Sequence, residues 1–261
     1  YSATMNPNRG AWLEYETDAS NVFCVRIDKN RKLPVTVLCR ALGLSSDEEI
    51  LNFFGEDERI LATLEKDTTK NQDEGLLEVY RKLRPGEPPT VESATNQINM
   101  LFFDPRRYDL SRFGRYKMNK KLSLARRITG FVAAENIVAP LTGEVIVEAK
   151  DKITRELAEK ADAAGVDTVI LSIEGKKVKV ITNGCVDAQG FFSFDVKECG
   201  INERCSFDEI KKILDTTSDV EEQKEMLRRN HDQLIGRTVT VKDILSSINY
   251  LNGLGYGIGT T

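Results

Sequence analysis

Residues 10–28 contain two runs of alternating apolar and polar side chains, separated by a polar loop at residues 17–21. Because successive side chains of a strand point to opposite faces, this alternation predicts a β-hairpin. Leu13 and Tyr15 then face the core, and Trp12 falls on the opposite, polar face. Trp12 is the only tryptophan. Such a residue serves as readily in a core as on a binding surface, and both interpretations stay open at this point.

Prolines and helix-capping residues divide the rest of the chain into short elements. Residues 84–89, Arg-Pro-Gly-Glu-Pro-Pro, predict a rigid connector because proline breaks helices and central strands. Helix starts are predicted at the N-cap residues Ser46, Thr90, Thr154, Ser206, Ser218 and Thr240. Strands are predicted at 131–138, 144–148, 168–173, 176–182 and 191–196. The chain is therefore predicted to have an α+β fold, with a mixed helix and antiparallel-sheet part and, from about residue 123, a small β-rich α/β module.

Charge is distributed unevenly along the chain. The 37 basic and 41 acidic residues give a net charge of −4, yet the first 122 residues are neutral, with 19 of each. Within that half, residues 106–121 hold seven basic residues against one acidic residue, a local charge of +6. These basic residues are Arg106, Arg107, Arg112, Arg115, Lys117, Lys120 and Lys121. A second cluster consists of Arg26, Lys29, Arg31 and Lys32, opposed by Asp28. Runs of like charge are commonly solvated surface, and that interpretation also stays open.

The sequence contains no motif of a catalytic or cofactor site. It lacks a phosphate-binding GxxxxGK[ST] loop, a GxSxG nucleophile elbow and a zinc-binding HExxH helix. The five cysteines lack the spacing of a zinc site, and His231 is the only histidine. No run approaches the roughly 20 apolar residues that span a bilayer. We therefore expect a cytoplasmic protein with free thiols, no cofactor, no metal and no membrane contact.

The basic run is interleaved with aromatic residues, and the combination suits nucleic-acid binding. Lysine and arginine neutralise phosphates, and an exposed aromatic ring offers a base a stacking platform. The aromatic residues are Phe102, Phe103, Tyr108, Phe113 and Tyr116. Alternatively, the rings belong to the core and the arginines pair with acidic residues of neighbouring subunits. For Phe102 and Phe103 we expect the core placement.

Four longer strings occur in order along the chain. They are NRGAWLE at 8–14, VRIDKNRKLP at 25–34, LRPGEPPT at 83–90, and LFFDP through RYKMNK at 101–120. In order and spacing they closely resemble the family of β subunits of bacterial DNA-directed RNA polymerase. The resemblance covers residues 1–122 and resumes at 239–261, the region of that family called the lobe.

Residues 123–238 look like an insertion into the lobe, similar to the β/β′ modules of Firmicutes polymerases. This segment holds 17 basic and 21 acidic residues, so DNA is not the ligand we expect for it. A protein-facing or spacer role is expected instead. The chain starts at Tyr1 and ends on the glycine-rich run 253–261, which predicts a piece excised from a longer subunit.

The resemblance implies a role for the lobe as one jaw of the downstream DNA cleft, without catalysis of its own. It implies that Trp12 stacks on a non-template-strand base and that Asp28 and Lys29 lie beside that strand. With these residues, the predicted DNA-binding set is completed by Arg9, Arg31, Lys32, Arg112, Arg115 and Lys117. The implied partners are DNA, as downstream duplex and non-template strand, and the β′, α, ω and σ subunits. The magnesium site of the parent enzyme is implied to lie in β′.

Two further alternatives stay open. In the first alternative, the chain is chiefly a protein-interaction platform, in which the acidic module 123–238 docks a transcription factor or another subunit. In the second alternative, the +6 cluster of residues 106–121 binds β′ or σ rather than DNA. An autonomous enzyme is the interpretation that the sequence supports least, because no catalytic motif is present.

Overall fold

The computed structural model describes all 261 residues, which pack as two compact units. The first unit comprises residues 1–111 and 238–257, and the second comprises 112–237 and 258–261. None of the helices combines the length and apolar composition that crossing a membrane requires. The sequence predicts a lobe at 1–122 with 239–261 and an inserted module at 123–238. These bounds state where one segment is inserted into another, which the packing into units does not test, so they stay a prediction.

Eleven short strands form four separate sheets. The strands are β1 (Ser2–Met5), β2 (Leu13–Thr17), β3 (Phe23–Ile27), β4 (Leu33–Pro34), β5 (Val132–Ala133), β6 (Ile137–Val138), β7 (Val145–Val147), β8 (Thr168–Ile173), β9 (Lys176–Ile181), β10 (Cys185–Val186) and β11 (Cys205–Ser206). The sheet orders are β1-β2-β3-β4, β5-β8-β9, β6-β7 and β10-β11, and all pairings are antiparallel.

Twelve helices account for most of the remaining regular structure. They are α1 (Val35–Ala41), α2 (Asp47–Phe54), α3 (Glu58–Lys66), α4 (Gln72–Leu83), α5 (Val91–Ile98), α6 (Ser111–Leu122), α7 (Ala125–Ile128), α8 (Arg155–Ala163), α9 (Phe207–Thr216), α10 (Val220–Arg229), α11 (His231–Leu234) and α12 (Val241–Leu254). A π-helical turn follows α5 at Asn99–Phe103, and 3-10 turns occupy Ala188–Phe191 and Val196–Cys199. The mixture of helices with small antiparallel sheets confirms the predicted α+β class.

The predicted hairpin is confirmed as strands β2 and β3. Leu13 pairs with Ile27 and Tyr15 with Val25, and all four side chains are buried. Their burial follows from the period-two alternation, which places apolar residues on one face of both strands. The sheet face is closed by helices, and the Tyr15 hydroxyl contacts the hydroxyl of Ser247 in α12 at 3.1 Å.

A buried ion pair lies beside this sheet, at the start of the helical part of the first unit. Arg40 of α1 donates from Nε to an Asp67 carboxylate oxygen at 3.1 Å, and both side chains are at most 1% exposed. The Thr36 hydroxyl donates to the same carboxylate at 2.7 Å, and the Thr69 N–H donates at 2.8 Å. Arg40 also pairs with Asp47. The carboxylate of Asp67 is therefore satisfied by several donors, as a buried charge must be.

The second unit packs around two apolar groups. One involves the β5-β8-β9 sheet, where Val169, Leu171 and Val180 are buried. The other collects aromatic and aliphatic side chains of residues 186–234, among them Phe207 and Ile210 of α9.

Local chemistry overrides two of the predicted elements. The predicted strand 191–196 is wrong, because Asp187 and Asp195 accept hydrogen bonds from the N–H groups two residues later and start 3-10 turns. The predicted N-cap Ser218 is also wrong, because Asp219 accepts from the Glu222 N–H and starts α10 one residue later. The other N-caps predicted from the sequence accept the expected backbone hydrogen bonds.

Candidate nucleic-acid interface

Trp12 lies immediately before β2 and points away from the buried face of the sheet. The next residue, Leu13, pairs with Ile27 in the register, and both are 1% exposed. Because adjacent residues of a strand face opposite ways, Trp12 projects to the other side. Its side chain is half-buried rather than enclosed. The outward placement predicted from the alternation agrees with the register and with this exposure.

A tight turn brings Asp28 and Lys29 to Trp12. Both turn residues are left-handed, with φ of 49° at Asp28 and 67° at Lys29, and the Asn30 N–H closes the turn on the Ile27 carbonyl at 3.1 Å. The Asp28 N–H donates to the Trp12 carbonyl at 2.9 Å. The Lys29 ammonium lies 5.7 Å from the centroid of the indole, within range of a cation–π interaction. Three of the predicted residues are therefore brought together.

A distant segment fixes the chain that leads into Trp12. Arg9 and Asp109 exchange backbone hydrogen bonds of 3.1 and 2.8 Å, and the Arg9 guanidinium donates to the Pro105 carbonyl at 3.2 Å. Between Arg9 and Trp12, Gly10 adopts φ +125°, and a Cβ added there would lie 2.6 Å from the Tyr108 ring. Only glycine fits this position, because it has neither the strain of positive φ nor the clash.

The charges around the hairpin are only partly neutralised. Glu16 pairs with Lys32 at 3.0 Å and lies 3.9 Å from Arg26. The hydrogen bond from Lys32 lowers the pKa of the Glu16 carboxyl, against a small opposing effect of burial. The same hydrogen bond raises the pKa of the Lys32 ammonium. Arg31 is exposed and makes no ion pair, as is also true of Lys29. The cations available to a phosphate here are therefore Arg9, Lys29 and Arg31, with Lys32 shared by Glu16.

The basic residues of α6 do not all face solvent. Arg112 is exposed and pairs with Glu203 at 2.5 Å, and Lys117 is exposed. Arg115 is 4% exposed and donates from Nε to the Gly236 carbonyl at 3.2 Å. Its guanidinium lies inside the second unit rather than at the surface, so we leave Arg115 out of the proposed interface.

The five aromatic residues near the basic run separate into two groups. Phe102 and Tyr108 are 0% and 1% exposed, and the Phe103 ring lies 6.2 Å from that of Phe102. The core placement expected for Phe102 is therefore confirmed, and Phe103 packs half-buried against it. Phe113 and Tyr116 of α6 are instead 65% and 55% exposed.

Sequence reasoning missed how the exposed rings of α6 are arranged. The Lys117 ammonium lies 4.5 Å from the Phe113 centroid, and the Lys120 ammonium lies 6.0 Å from the Tyr116 centroid. Both pairs have the spacing of four residues that places side chains on one helix face. That spacing was readable from the sequence. The bridge between Arg9 and Asp109 was not, because nothing local connects residues so far apart.

No group of three or more histidine, cysteine, aspartate or glutamate side chains is placed to hold a metal ion. The arrangement of aromatic rings and unpaired cations is suited to binding.

Known proteins match both parts of the chain. The family model described as RNA polymerase Rpb2, domain 2, matches residues 1–138. The chain is 56% identical over 263 residues to DNA-directed RNA polymerase subunit beta of Acetivibrio thermocellus, with all of the chain and 21% of the relative covered. The same subunit of Clostridium beijerinckii is 53% identical and that of Clostridium acetobutylicum 50% identical, each over 99% of the chain.

The chain spans about a fifth of the length of these relatives, 21% in each case. Because the alignments include almost every residue, the segment 123–238 has a counterpart in these three proteins. The resemblance to β subunits suggested by the sequence strings is confirmed. The family match covers more than half of the chain, which therefore belongs to the family of RNA polymerase Rpb2, domain 2.

Proposed function

We propose that this chain forms a DNA-cleft domain of an RNA polymerase β subunit and contacts the non-template strand through the Trp12 hairpin. The observation that carries the proposal is the outward, half-buried indole of Trp12, held next to Lys29 by the turn at Asp28. An aromatic face at the surface can stack an unpaired base, and such a contact contributes about 1–3 kcal/mol per base.

Cations on the same part of the molecule support the proposal. Arg9, Lys29 and Arg31 have no carboxylate partner, so phosphates are free to take that place. Lys32 is available in part, since Glu16 competes for it. In this proposal the downstream duplex is held by nonspecific phosphate contacts, and nucleotidyl transfer is performed elsewhere in the enzyme. The partners are DNA and the β′, α, ω and σ subunits, in the cytoplasm.

Photocrosslinking in the assembled polymerase tests the stacking role. The β subunit carries Trp12→Ala or Trp12→Tyr, and the non-template strand carries 5-iododeoxyuridine at the downstream edge of the bubble. We expect the crosslink to this chain to be lost with Trp12→Ala and retained with Trp12→Tyr, because tyrosine preserves an aromatic face. An unchanged crosslink with Trp12→Ala would contradict the proposal.

Leu61→Ala is a matched control for this experiment. Leu61 is an exposed apolar side chain of the first unit, 42% exposed, and it lies on α3 rather than on the hairpin. Its truncation also removes apolar surface, so it reports any general effect of that loss. The crosslink should be unaffected by Leu61→Ala.

A second candidate function is protein docking by the second unit. Three apolar side chains near the β6-β7 hairpin are exposed by 41%, 42% and 45%, namely Val138, Leu141 and Val145. Exposed apolar side chains close together in sequence are typical of protein contacts. In this alternative the second unit docks a transcription factor or another subunit, and the +6 cluster of 106–121 contributes to subunit contacts.

Transcription assays distinguish the two functions. The triple variant Val138→Ser, Leu141→Ser and Val145→Ser should leave factor-free transcription unchanged and reduce the response to a docked factor, if docking is correct. If the variant and the unsubstituted polymerase respond equally to added factors, docking through this surface is excluded.

A further inference from the structure

We propose that the outward face of α6 binds single-stranded nucleic acid, at a site separate from the Trp12 hairpin. The site consists of the exposed rings of Phe113 and Tyr116 with the ammonium groups of Lys117 and Lys120. The inference shares with the proposed function only the class of ligand. Its observations all lie in the second unit.

The exposure of the rings is the first argument. Large aromatic side chains dominate the energetics of cores and interfaces, yet Phe113 and Tyr116 are 65% and 55% exposed. The side chains of α6 that do pack are Arg115, Asn119 and Leu122. Two of the three buried side chains of the helix are therefore polar, and the aromatic residues lie on the face turned to solvent.

The charge of this face is the second argument, and it selects an anionic partner. Helix α6 contains no acidic residue, and neither Lys117 nor Lys120 makes an ion pair. Each ammonium instead lies over the ring of the residue four positions earlier. A phosphate brought to either lysine would therefore meet a cation without a competing carboxylate, beside an aromatic face.

An adjacent groove of about 780 Å³ extends the site. Tyr116 and Lys120 line it together with the unpaired cations Arg126 and Lys197. Three carboxylates also line the groove. Asp187 and Asp195 each accept a backbone N–H at 3.0 Å, and Glu203 pairs with Arg112. Asp187 and Asp195 keep their negative charge, but the three cations without an ion pair, Lys120, Arg126 and Lys197, outnumber them, so the net charge along the groove is positive.

The spacing of the rings favours a single strand over a duplex. Residues three apart on a helix have Cβ atoms about 5–6 Å apart. Successive stacked bases of one nucleic-acid strand are only about 3.4 Å apart. Two rings at the helix spacing therefore match bases that have been separated from each other. An acidic peptide would satisfy the lysines, but it has no flat face to stack on the rings.

Binding of a labelled oligothymidylate of about 16 nucleotides to the 261-residue chain tests the inference by fluorescence anisotropy. The double variant Phe113→Ala, Tyr116→Ala should weaken binding about 5-fold or more for each ring that stacks. The matched control Phe113→Tyr, Tyr116→Phe retains both rings and should bind like the parent. Equal binding by the alanine variant and the parent would overturn the inference.

The salt dependence of binding tests the role of the lysines. Removing two phosphate contacts with Lys117→Gln, Lys120→Gln should reduce the slope of log K against log salt by about 1.4, since each contact to a single strand contributes about 0.7. The control Lys152→Gln, Lys211→Gln changes the net charge equally at other exposed positions of the second unit and should leave the slope unchanged. Equal slopes for the two double variants would overturn the inference.

Two further probes identify the ligand class and separate this inference from the proposed function. A duplex of the same length should bind more weakly than the single strand, and polyglutamate should not show the ring dependence. Ring-dependent binding of polyglutamate would assign the face to an acidic protein instead. Trp12→Ala should leave oligothymidylate binding by α6 intact. If Trp12→Ala abolishes binding while the α6 variants do not, the hairpin interface stands and this inference fails.

Discussion

The hairpin and α6 each place an ammonium over an aromatic ring at the surface, half-buried at Trp12 and exposed at Phe113, but the chain builds the two arrangements differently. At the hairpin, Lys29 reaches Trp12 because a left-handed turn and strand pairing bring two separate stretches together. On α6, Lys117 lies over Phe113 because the two residues are one helical turn apart. The first arrangement depends on long-range support, and the second depends on local helical periodicity. Perturbing the support of the sheet should therefore affect the hairpin more than α6.

The largest effect is expected from removing the buried carboxylate of Asp67. In Asp67→Ala the guanidinium of Arg40 stays buried without its buried carboxylate partner, and only Asp47 still pairs with it. This loss should lower the free energy of unfolding by about 3–5 kcal/mol. Chemical denaturation measures this loss. Hydrogen exchange should show that protection falls more in β2 and β3 than in α6. Equal loss of protection would break the distinction between the two regions.

Asp47→Ala is the control for this variant. Asp47 also pairs with Arg40, but its side chain is 53% exposed, so solvent compensates for its loss. We expect a cost of about 1 kcal/mol or less. A cost equal to that of Asp67→Ala would show that burial of the carboxylate is not the cause.

Gly10→Ala should produce the next largest effect. The added Cβ would meet the Tyr108 ring at 2.6 Å, and the backbone would keep a φ of +125°. We expect a loss of about 2–3 kcal/mol from the combined clash and backbone strain. Because Trp12 is the only tryptophan, its fluorescence reports the displacement of the hairpin directly.

Gly86→Ala separates strain from clash in that experiment. Gly86 also has positive φ, +89°, but a Cβ added there meets no atom within 4 Å. It should cost about 1 kcal/mol from conformation alone and leave Trp12 fluorescence unchanged. If Gly10→Ala behaved in the same way, the contact with Tyr108 would not position the hairpin.

A smaller effect is expected from Lys29→Gln. This change removes the ammonium from the Trp12 ring, at a cost of about 0.5–1 kcal/mol for a pair at the surface. Lys117→Gln should cost a similar amount through Phe113 on α6. Denaturation of each variant, with Trp12→Ala and Phe113→Ala combined in double-mutant cycles, measures both coupling energies. Different couplings would show that the scaffold, and not the pair alone, sets the strength.

The smallest effect concerns the titration of Glu16. Its pKa is lowered in the folded chain, chiefly by the hydrogen bond from Lys32, so its contribution to stability is present above the unfolded pKa. That contribution is lost as the pH falls through the lowered folded value. Lys32→Gln should raise the pKa of the Glu16 carboxyl, as measured by NMR titration. An unchanged pKa would assign the shift to Arg26 instead.

The sequence predicted what local chemistry decides. Period-two alternation predicted which side chains of β2 and β3 are buried, and hence the outward side of Trp12. The N-caps at Ser46 and Thr90 were predicted because each needs only its own side chain and a backbone N–H three residues later.

Features that depend on distant or competing partners were not predicted. Strand β1 is short and largely exposed, so it shows no apolar pattern and is defined only by its pairing with β2. At 191–196 the aromatic residues suggested a strand, whereas the capping carboxylates of Asp187 and Asp195 start turns. The burial of Arg115 was readable in principle, because it shares a helix face with Asn119 and Leu122.

The bridge between Arg9 and Asp109 has a consequence for genetics. It ties the chain before Trp12 to a segment that lies far along the sequence, and Tyr108 of that segment rests against Gly10. A selection for loss of the proposed Trp12 contact should therefore recover changes at residues 105–109, outside the proposed interface. Suppressors of such changes are expected in the hairpin itself. Substitutions in these two distant stretches should therefore compensate for each other.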